Sequence, residues 1–339
     1  MSSTQVRGEL RPAPPNPYPA RAPNSGPVKV VEVSADQALA PSLLAGYDWA
    51  LNPYRGCAFD CLYCYAPDVV RIDRAAWADT IFVKRSVPTL LAKEMKRKRR
   101  GVIGLSTVTD PYQPLERRLE VTRRCLEAIA RAGWPVSVLT KGPLVVRDLD
   151  ILKRIEGAEV GFSVATGLDA ERKRWEPRCP PVAARFDALR AVTEAGVRAY
   201  VFAGPLLPEG SAEGVRELAV RAKEAGAAEV MADTMHARPG ALLDIIGRTS
   251  GLEDAERLRR SEALLRRLEG ECRLSGVPFS RAANWKPRAS ERGRGRDHLV
   301  PPRAAKKDPA VLEHLREVAR PAAPLADTLA LDLRLEEFD

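Results

Sequence analysis

No apolar run in this chain approaches the roughly eighteen residues that a bilayer-crossing helix needs. The opening MSSTQVRGELRPAPP also lacks the apolar stretch of an export signal. The expectation is therefore a cytoplasmic protein with no membrane partner. Cysteine is sparse, six in 339 residues, too few for a disulfide scaffold. What is present is globular: 45% hydrophobic and 29% charged residues, enough for a large buried core. Lys plus Arg total 54 against 45 acids, a net charge of +9 that favours polyanions without identifying one.

The pattern of the chain changes twice. Residues 1–39 read as an extended arm, with seven prolines between positions 11 and 27 and no apolar periodicity. Residues 40–280 alternate short apolar runs with longer amphipathic ones, the pattern of βα units on a parallel sheet. Six strands are expected: around 49–53, then 102–107, 135–140, 160–165, 199–203 and 229–233. Helices are expected over 87–100, 117–132, 148–156, 182–195 and 212–225. Gly133, Gly157, Gly196 and Gly226 follow four of them, where a left-handed residue ends a helix with least strain. Leu258, Leu265, Leu268 and Cys272 mark the apolar face of one more helix. Residues 281–339 form a basic, largely irregular extension, with nine Lys or Arg and two acids between 281 and 307.

The most informative feature is Asn52-Pro-Tyr-Arg-Gly-Cys57-Ala-Phe-Asp-Cys61-Leu-Tyr63-Cys64-Tyr65, a C-x3-C-x2-C array directly after an expected strand. Three thiolates from one loop can reach one metal centre. Iron–sulfur cubanes usually take four cysteines and structural zinc four ligands, so a triplet alone leaves a coordination position open for chemistry. The alternative is zinc completed by Cys125, Cys179, Cys272, His236, His298 or His314, although no second ligand knuckle is written in the sequence. Cys125 and Cys272 sit on apolar helix faces and are assigned to packing. Tyr112 and Glu116 are candidates for the substrate cavity, but an Asp-Pro turn leading into a helix explains them equally. His236 is the one histidine expected near the mouth of the sheet.

The array, with an aromatic residue before its third cysteine, resembles the signature of radical S-adenosylmethionine enzymes, and more closely the branch similar to spore photoproduct lyase. The residues that carry the likeness run from Asn52 to about Pro208. They are LNPYRGC with CLYCYA, the block from Thr107 to Glu116, Thr140-Lys141, Arg147-Asp148-Leu149, Phe162-Ser163, Glu176-Pro177 and Gly204-Pro205. The resemblance implies an α/β fold with a partial (βα)6 barrel. It implies a [4Fe-4S] cluster on Cys57, Cys61 and Cys64 with S-adenosylmethionine on its fourth iron, cleaved to a 5′-deoxyadenosyl radical that takes hydrogen from a substrate. By the same resemblance Tyr63 lies beside the adenine, Lys141 and Ser163 contact the carboxylate or ribose, and Thr107 helps hold the methionine amino group. A flavodoxin or ferredoxin is the expected electron donor.

In the lyase a cysteine near the end of the second strand, two residues before the Asp of the matching block, returns hydrogen to the product. Here that position is Val108, which has no weak S–H bond. Cys179, after the fourth strand, is the expected substitute, with Tyr63 and Tyr65 as a radical relay. Nucleic acid is the favoured substrate class, with phosphate contacts from Lys96–Arg100 and from 281–307, and Trp285 stacking on a base. A small metabolite or a peptide, or a non-catalytic zinc and nucleic-acid-binding protein, are the alternatives.

Overall fold

The structure, a computed structural model, describes residues 28–235 except 43 and 45, and residues 252–282. Most of the arm and of the basic extension, together with Trp285, His236, His298 and His314, lie outside the described residues.

Eleven strands form among the described residues: β1 Lys29–Glu32, β2 Leu39–Pro41, β3 Trp49–Leu51, β4 Tyr54–Arg55, β5 Thr80–Val83, β6 Ile103–Leu105, β7 Val136–Thr140, β8 Glu159–Ser163, β9 Arg198–Ala203, β10 Val230–Ala232 and β11 Phe279–Arg281. The main sheet runs β11-β10-β9-β8-β7-β6-β3-β2, parallel throughout except for β2 against β3. Its six central strands are the six expected from sequence, side by side in chain order. Two edge strands and a small second sheet, β1-β5-β4, add to them. These extra strands are too short to show alternation, and β2 ends in Pro41, which an edge tolerates because no ladder donor is needed there. Residues 29–32 and 39, assigned to the arm by composition, thus carry strand structure.

The strands have two distinct faces. Ile103, Leu105, Val136, Val138, Val160, Phe162 and Val201 join the main hydrophobic core, with Leu126, Ile129, Leu189, Val192 and Leu218 from the covering helices. The other face, by the two-residue period of a strand, carries Gly104 and Ser106, then Ser137, Leu139 and Lys141, then Gly161 and Ser163, then Tyr200, Phe202 and Gly204. The small residues make room for two rings. A Cβ on Gly104 would stand 2.7 Å from the Tyr47 ring, and one on Gly161 would stand 2.4 Å from Tyr200. Tyr47 and Tyr200 therefore fill the layer beneath the carboxyl ends, and the hydroxyls of Tyr47 and Ser137 are 3.3 Å apart.

Three helix boundaries and one helix face depart from the expectation. The first helix, Val87–Glu94, stops early because the Glu94 carboxylate accepts from Ala38 N at 2.6 Å and Leu39 N at 3.0 Å. The next is broken into Glu116–Leu119 and Val121–Ala132, with Glu120 left-handed at φ 50°. At 148–156 a 3-10 turn, Pro143–Asp148, leads into the single turn Leu149–Leu152. In helix Asp254–Ser275, Leu258 is 48% exposed, and Ser261 takes the core-facing place instead, donating to Leu206 O at 2.8 Å and accepting from Met235 N at 3.0 Å. The four punctuating glycines all have positive φ, as expected. Among the described residues no helix is long and apolar enough to cross a membrane.

Candidate active site

The cysteine loop leaves β4 through a turn that only glycine fits: Gly56 has φ +93°, and a Cβ there would stand 2.7 Å from Thr80 O. The loop has no regular ladder, so side chains satisfy its backbone. Gln113 accepts from Ala58 N at 3.0 Å, Thr109 donates to Gly56 O at 2.7 Å, and Arg74 donates to Cys61 O at 2.5 Å. Leu62 N donates to Trp175 O at 2.9 Å, tying the loop to the segment beyond β8. Cys57 and Cys61 are buried, Cys64 is half-buried, and all three border one cavity of about 170 Å³.

The ends of β6 to β9 supply the facing wall. Lys141 Nζ donates to Ser163 Oγ at 2.9 Å, lies 4.0 Å from Glu176 Oε1 and sits 5.4 Å from the centre of the Tyr63 ring. Glu176 is fully enclosed, bonded to Arg185 at 2.5 Å and accepting from the Tyr63 hydroxyl. Burial opposes its ionisation, but Arg185, Lys141 and Tyr63 outweigh burial and hold its carboxyl below the usual range. Burial likewise opposes the Lys141 ammonium, yet Cys61, Glu176 and Cys179 keep it charged. Asp110 fixes the end of β7 by accepting from Thr140 Oγ1 at 2.6 Å and Lys141 N at 2.8 Å.

The structure brings Tyr63, Tyr65, Thr107, Lys141 and Ser163 to the cavity with the three thiols. Val108 lines it as well. Thr107 is held by Asn52, whose amide donates to Thr107 Oγ1 at 3.2 Å and accepts from Thr107 N at 2.9 Å and Val108 N at 3.1 Å. Tyr65 donates to Thr107 O at 2.6 Å. Cys179 is not among the lining residues; its Sγ lies 3.5 Å from Cys61 Sγ. That contact lowers the Cys61 thiol pKa, while burial and Cys61 raise that of Cys179. Burial pushes the Cys64 thiol up to about 11.

Tyr112 and Glu116 belong to the scaffold: Tyr112 donates to Asp148 at 3.1 Å, and Glu116 accepts from Thr122 N at 3.0 Å and Arg147 at 2.8 Å. Cys125 and Cys272 are fully buried in the helix packing, as their positions on the apolar faces imply.

Sequence reasoning assigned no role to Asn52, Ser106, Trp77, Glu176 or Arg185. Arg185 had a signal, a cation on the apolar face of helix Val182–Glu194 that demands a buried anion. Ser106 had one too, two residues beyond Gly104 on the inward face. Trp77, in irregular chain, had none. Ser106 and Trp77 line the cavity, while Ser106 Oγ and Trp77 Nε1 are buried with no hydrogen-bond partner among the described residues. Ser106 is also left-handed at φ 66°. Among the described residues no group of three or more His, Cys, Asp or Glu gathers tightly enough for one metal ion. Three thiols on one cavity are the soft donor set that an iron–sulfur cluster takes.

A largely parallel sheet presents three thiols and a lysine–serine pair around one cavity at its carboxyl ends, the arrangement implied by the sequence resemblance to radical S-adenosylmethionine enzymes. The chain belongs to the radical SAM superfamily, whose family model matches residues 51–222. It is thus a radical SAM enzyme, and membership implies an iron–sulfur cluster and S-adenosylmethionine. An uncharacterised protein of Methanocaldococcus jannaschii is 32% identical over 183 residues, 54% of this chain and 69% of the relative. An uncharacterised protein of Mycobacterium tuberculosis is 34% identical over 233 residues, 64% of this chain and 68% of the relative. The solved structure of spore photoproduct lyase complexed with dinucleoside spore photoproduct shares the fold, with a TM-score of 0.60 at 16% identity over 81% of this chain and 87% of that one.

Proposed function

We propose that Cys57, Cys61 and Cys64 hold a [4Fe-4S] cluster and that the adjoining cavity binds S-adenosylmethionine for hydrogen abstraction from a nucleic-acid substrate. The observation that carries this reading is the meeting of three thiols with the charged Lys141 and its Ser163 partner on one cavity. When bound, the cluster and S-adenosylmethionine together supply a 5′-deoxyadenosyl radical. The chain's own residues do the positioning. Lys141 offers a fixed ammonium to a carboxylate, with Glu176 balancing its charge from behind and Arg185 paired in turn to Glu176. Ser163 and Thr107 offer hydroxyls to the amino and ribose groups, and the Tyr63 ring offers a face to adenine. Val108 on the wall gives no S–H, so hydrogen return falls to the phenols of Tyr63 and Tyr65, both on the cavity.

Nucleic acid is favoured by the net charge of +9 and by an outer groove where Lys93, Lys96, Arg124 and Arg131 stand against the single acid Glu127. A reduced flavodoxin or ferredoxin is the proposed electron source. The deciding experiment is anaerobic: protein reconstituted with iron and sulfide receives dithionite and S-adenosylmethionine, and 5′-deoxyadenosine is measured. Release is expected, with loss in Cys57→Ala, Cys61→Ala and Cys64→Ala. No release from protein carrying its full iron and sulfide content would falsify the reading. Deuterium transfer from labelled oligonucleotides into 5′-deoxyadenosine then tests the substrate class.

A further inference from the structure

Cys179 stands off the cavity wall, yet its position is heavily specified. Arg172 Nη1 donates to Glu176 O at 2.7 Å and to Cys179 O at 2.8 Å. Arg185 Nε donates to Pro180 O at 3.0 Å, and Asp169 accepts from Val182 N at 2.9 Å. Two buried guanidinium groups thus clamp the segment on either side of one thiol. The thiol so held lies 3.5 Å from Cys61 Sγ and 3.7 Å from Phe59 O. Among the described residues it is the one cysteine pair in sulfur-to-sulfur hydrogen-bond contact. Cys57 and Cys64 face the same cavity without such a contact.

A disulfide needs its sulfurs about 2.05 Å apart, so closing this pair takes a shift of about 1.5 Å, within reach of side-chain rotation and a small adjustment of the loop. The Cys61 loop has no sheet ladder to resist that shift, whereas Cys179 is anchored. We infer that Cys61 and Cys179 form a site of reversible thiol–disulfide exchange in the cluster-free protein, with a low-molecular-weight disulfide such as oxidised glutathione as oxidant.

The thiolate of Cys61 attacks one sulfur of the oxidant, forming a mixed disulfide and releasing one glutathione thiolate. The thiolate of Cys179 then attacks the Cys61 sulfur, forming the intramolecular bond and releasing the second glutathione. Two protons and two electrons leave the protein, and the oxidant is reduced to two thiols. A dithiol reductant runs the sequence backwards. The inference rests on Cys61 being a cluster ligand, because one sulfur then serves either the cluster or Cys179, never both. The disulfide holds Cys61 at a reversible oxidation level and keeps it from sulfinic acid while iron is scarce.

Full-length protein stripped of iron anaerobically and incubated with oxidised glutathione tests this, read by non-reducing proteolysis and mass spectrometry. The expected product joins the Cys61 and Cys179 peptides, appears only after stripping, and disappears with dithiothreitol. In Cys179→Ser, Cys61 is expected to retain glutathione as a mixed disulfide. A dominant link between Cys61 and Cys57 or Cys64 overturns the inference, as does a Cys179→Ser protein in which Cys61 carries no adduct. A Cys61–Cys179 link formed equally in protein of full iron and sulfide content overturns the exclusivity and removes Cys61 from the ligand set. Failure of deoxyadenosine release while the link forms after stripping overturns the proposed function and leaves the thiol pair standing.

Discussion

At the scale of single residues, the site depends on buried charges that balance one another. Glu176→Gln leaves the Arg185 guanidinium, enclosed as it is, without its anion. Removing one partner of a buried pair typically costs about 3–5 kcal/mol, so the urea midpoint of this variant is expected to fall clearly below that of the native chain. The wild-type pH profile should agree in sign. The Glu176 carboxyl is held below the ordinary range. Its contribution is therefore complete above the free value of about 4.3 and vanishes as pH drops through the lower folded value. Lys141→Met keeps the length and removes the ammonium. Weaker binding of S-adenosylmethionine by about tenfold or more is expected in calorimetry, with the fold intact by circular dichroism. An unchanged affinity would take Lys141 out of the ligand's reach.

At the scale of elements, two backbone positions carry the testable content. Gly161 on β8 faces Tyr200 so closely that an added methyl cannot be placed without moving the ring. Gly161→Ala is expected to destabilise by about 1–3 kcal/mol, seen as a lower melting temperature. Glu120 is the opposite case, a side chain in a left-handed conformation between two helices. Glu120→Gly removes a strain of about 1–2 kcal/mol and should raise the melting temperature, less whatever its contact with Arg147 contributes. The elements were legible where burial makes a pattern. Six central strands and four helix-ending glycines could be read because both sheet faces are covered and each βα unit repeats. The broken helix at Glu120 was not legible, because the Glu116 carboxylate that accepts from Thr122 N and Arg123 N acts through tertiary geometry. Leu258 misled for a related reason: its helix turns Ser261 inward to satisfy Leu206 O and Met235 N. In the site, the cysteines, Lys141 and Ser163 were readable from motif and strand end, while Trp77 declares itself only as a polar atom lacking a partner.

At the scale of the whole molecule, charge and closure matter most. Lys93, Lys96, Arg124 and Arg131 share a groove of about 380 Å³ between helices Val87–Glu94 and Val121–Ala132. The triple variant Lys93→Glu, Lys96→Glu, Arg131→Glu should weaken oligonucleotide binding at low salt. It should also flatten the dependence of log affinity on log salt by about one for each phosphate no longer neutralised, measured by fluorescence anisotropy. An unaltered slope would place phosphate binding elsewhere. The inner layer of Tyr47 and Tyr200 has a consequence of another kind. Among the described residues those rings fill the layer beneath the site, so arrivals and departures are expected from the side of the strands' carboxyl ends, and molecules inside must queue. Whatever rests deepest enters first and exits last, so product-inhibition kinetics should show a compulsory sequence, not a random one.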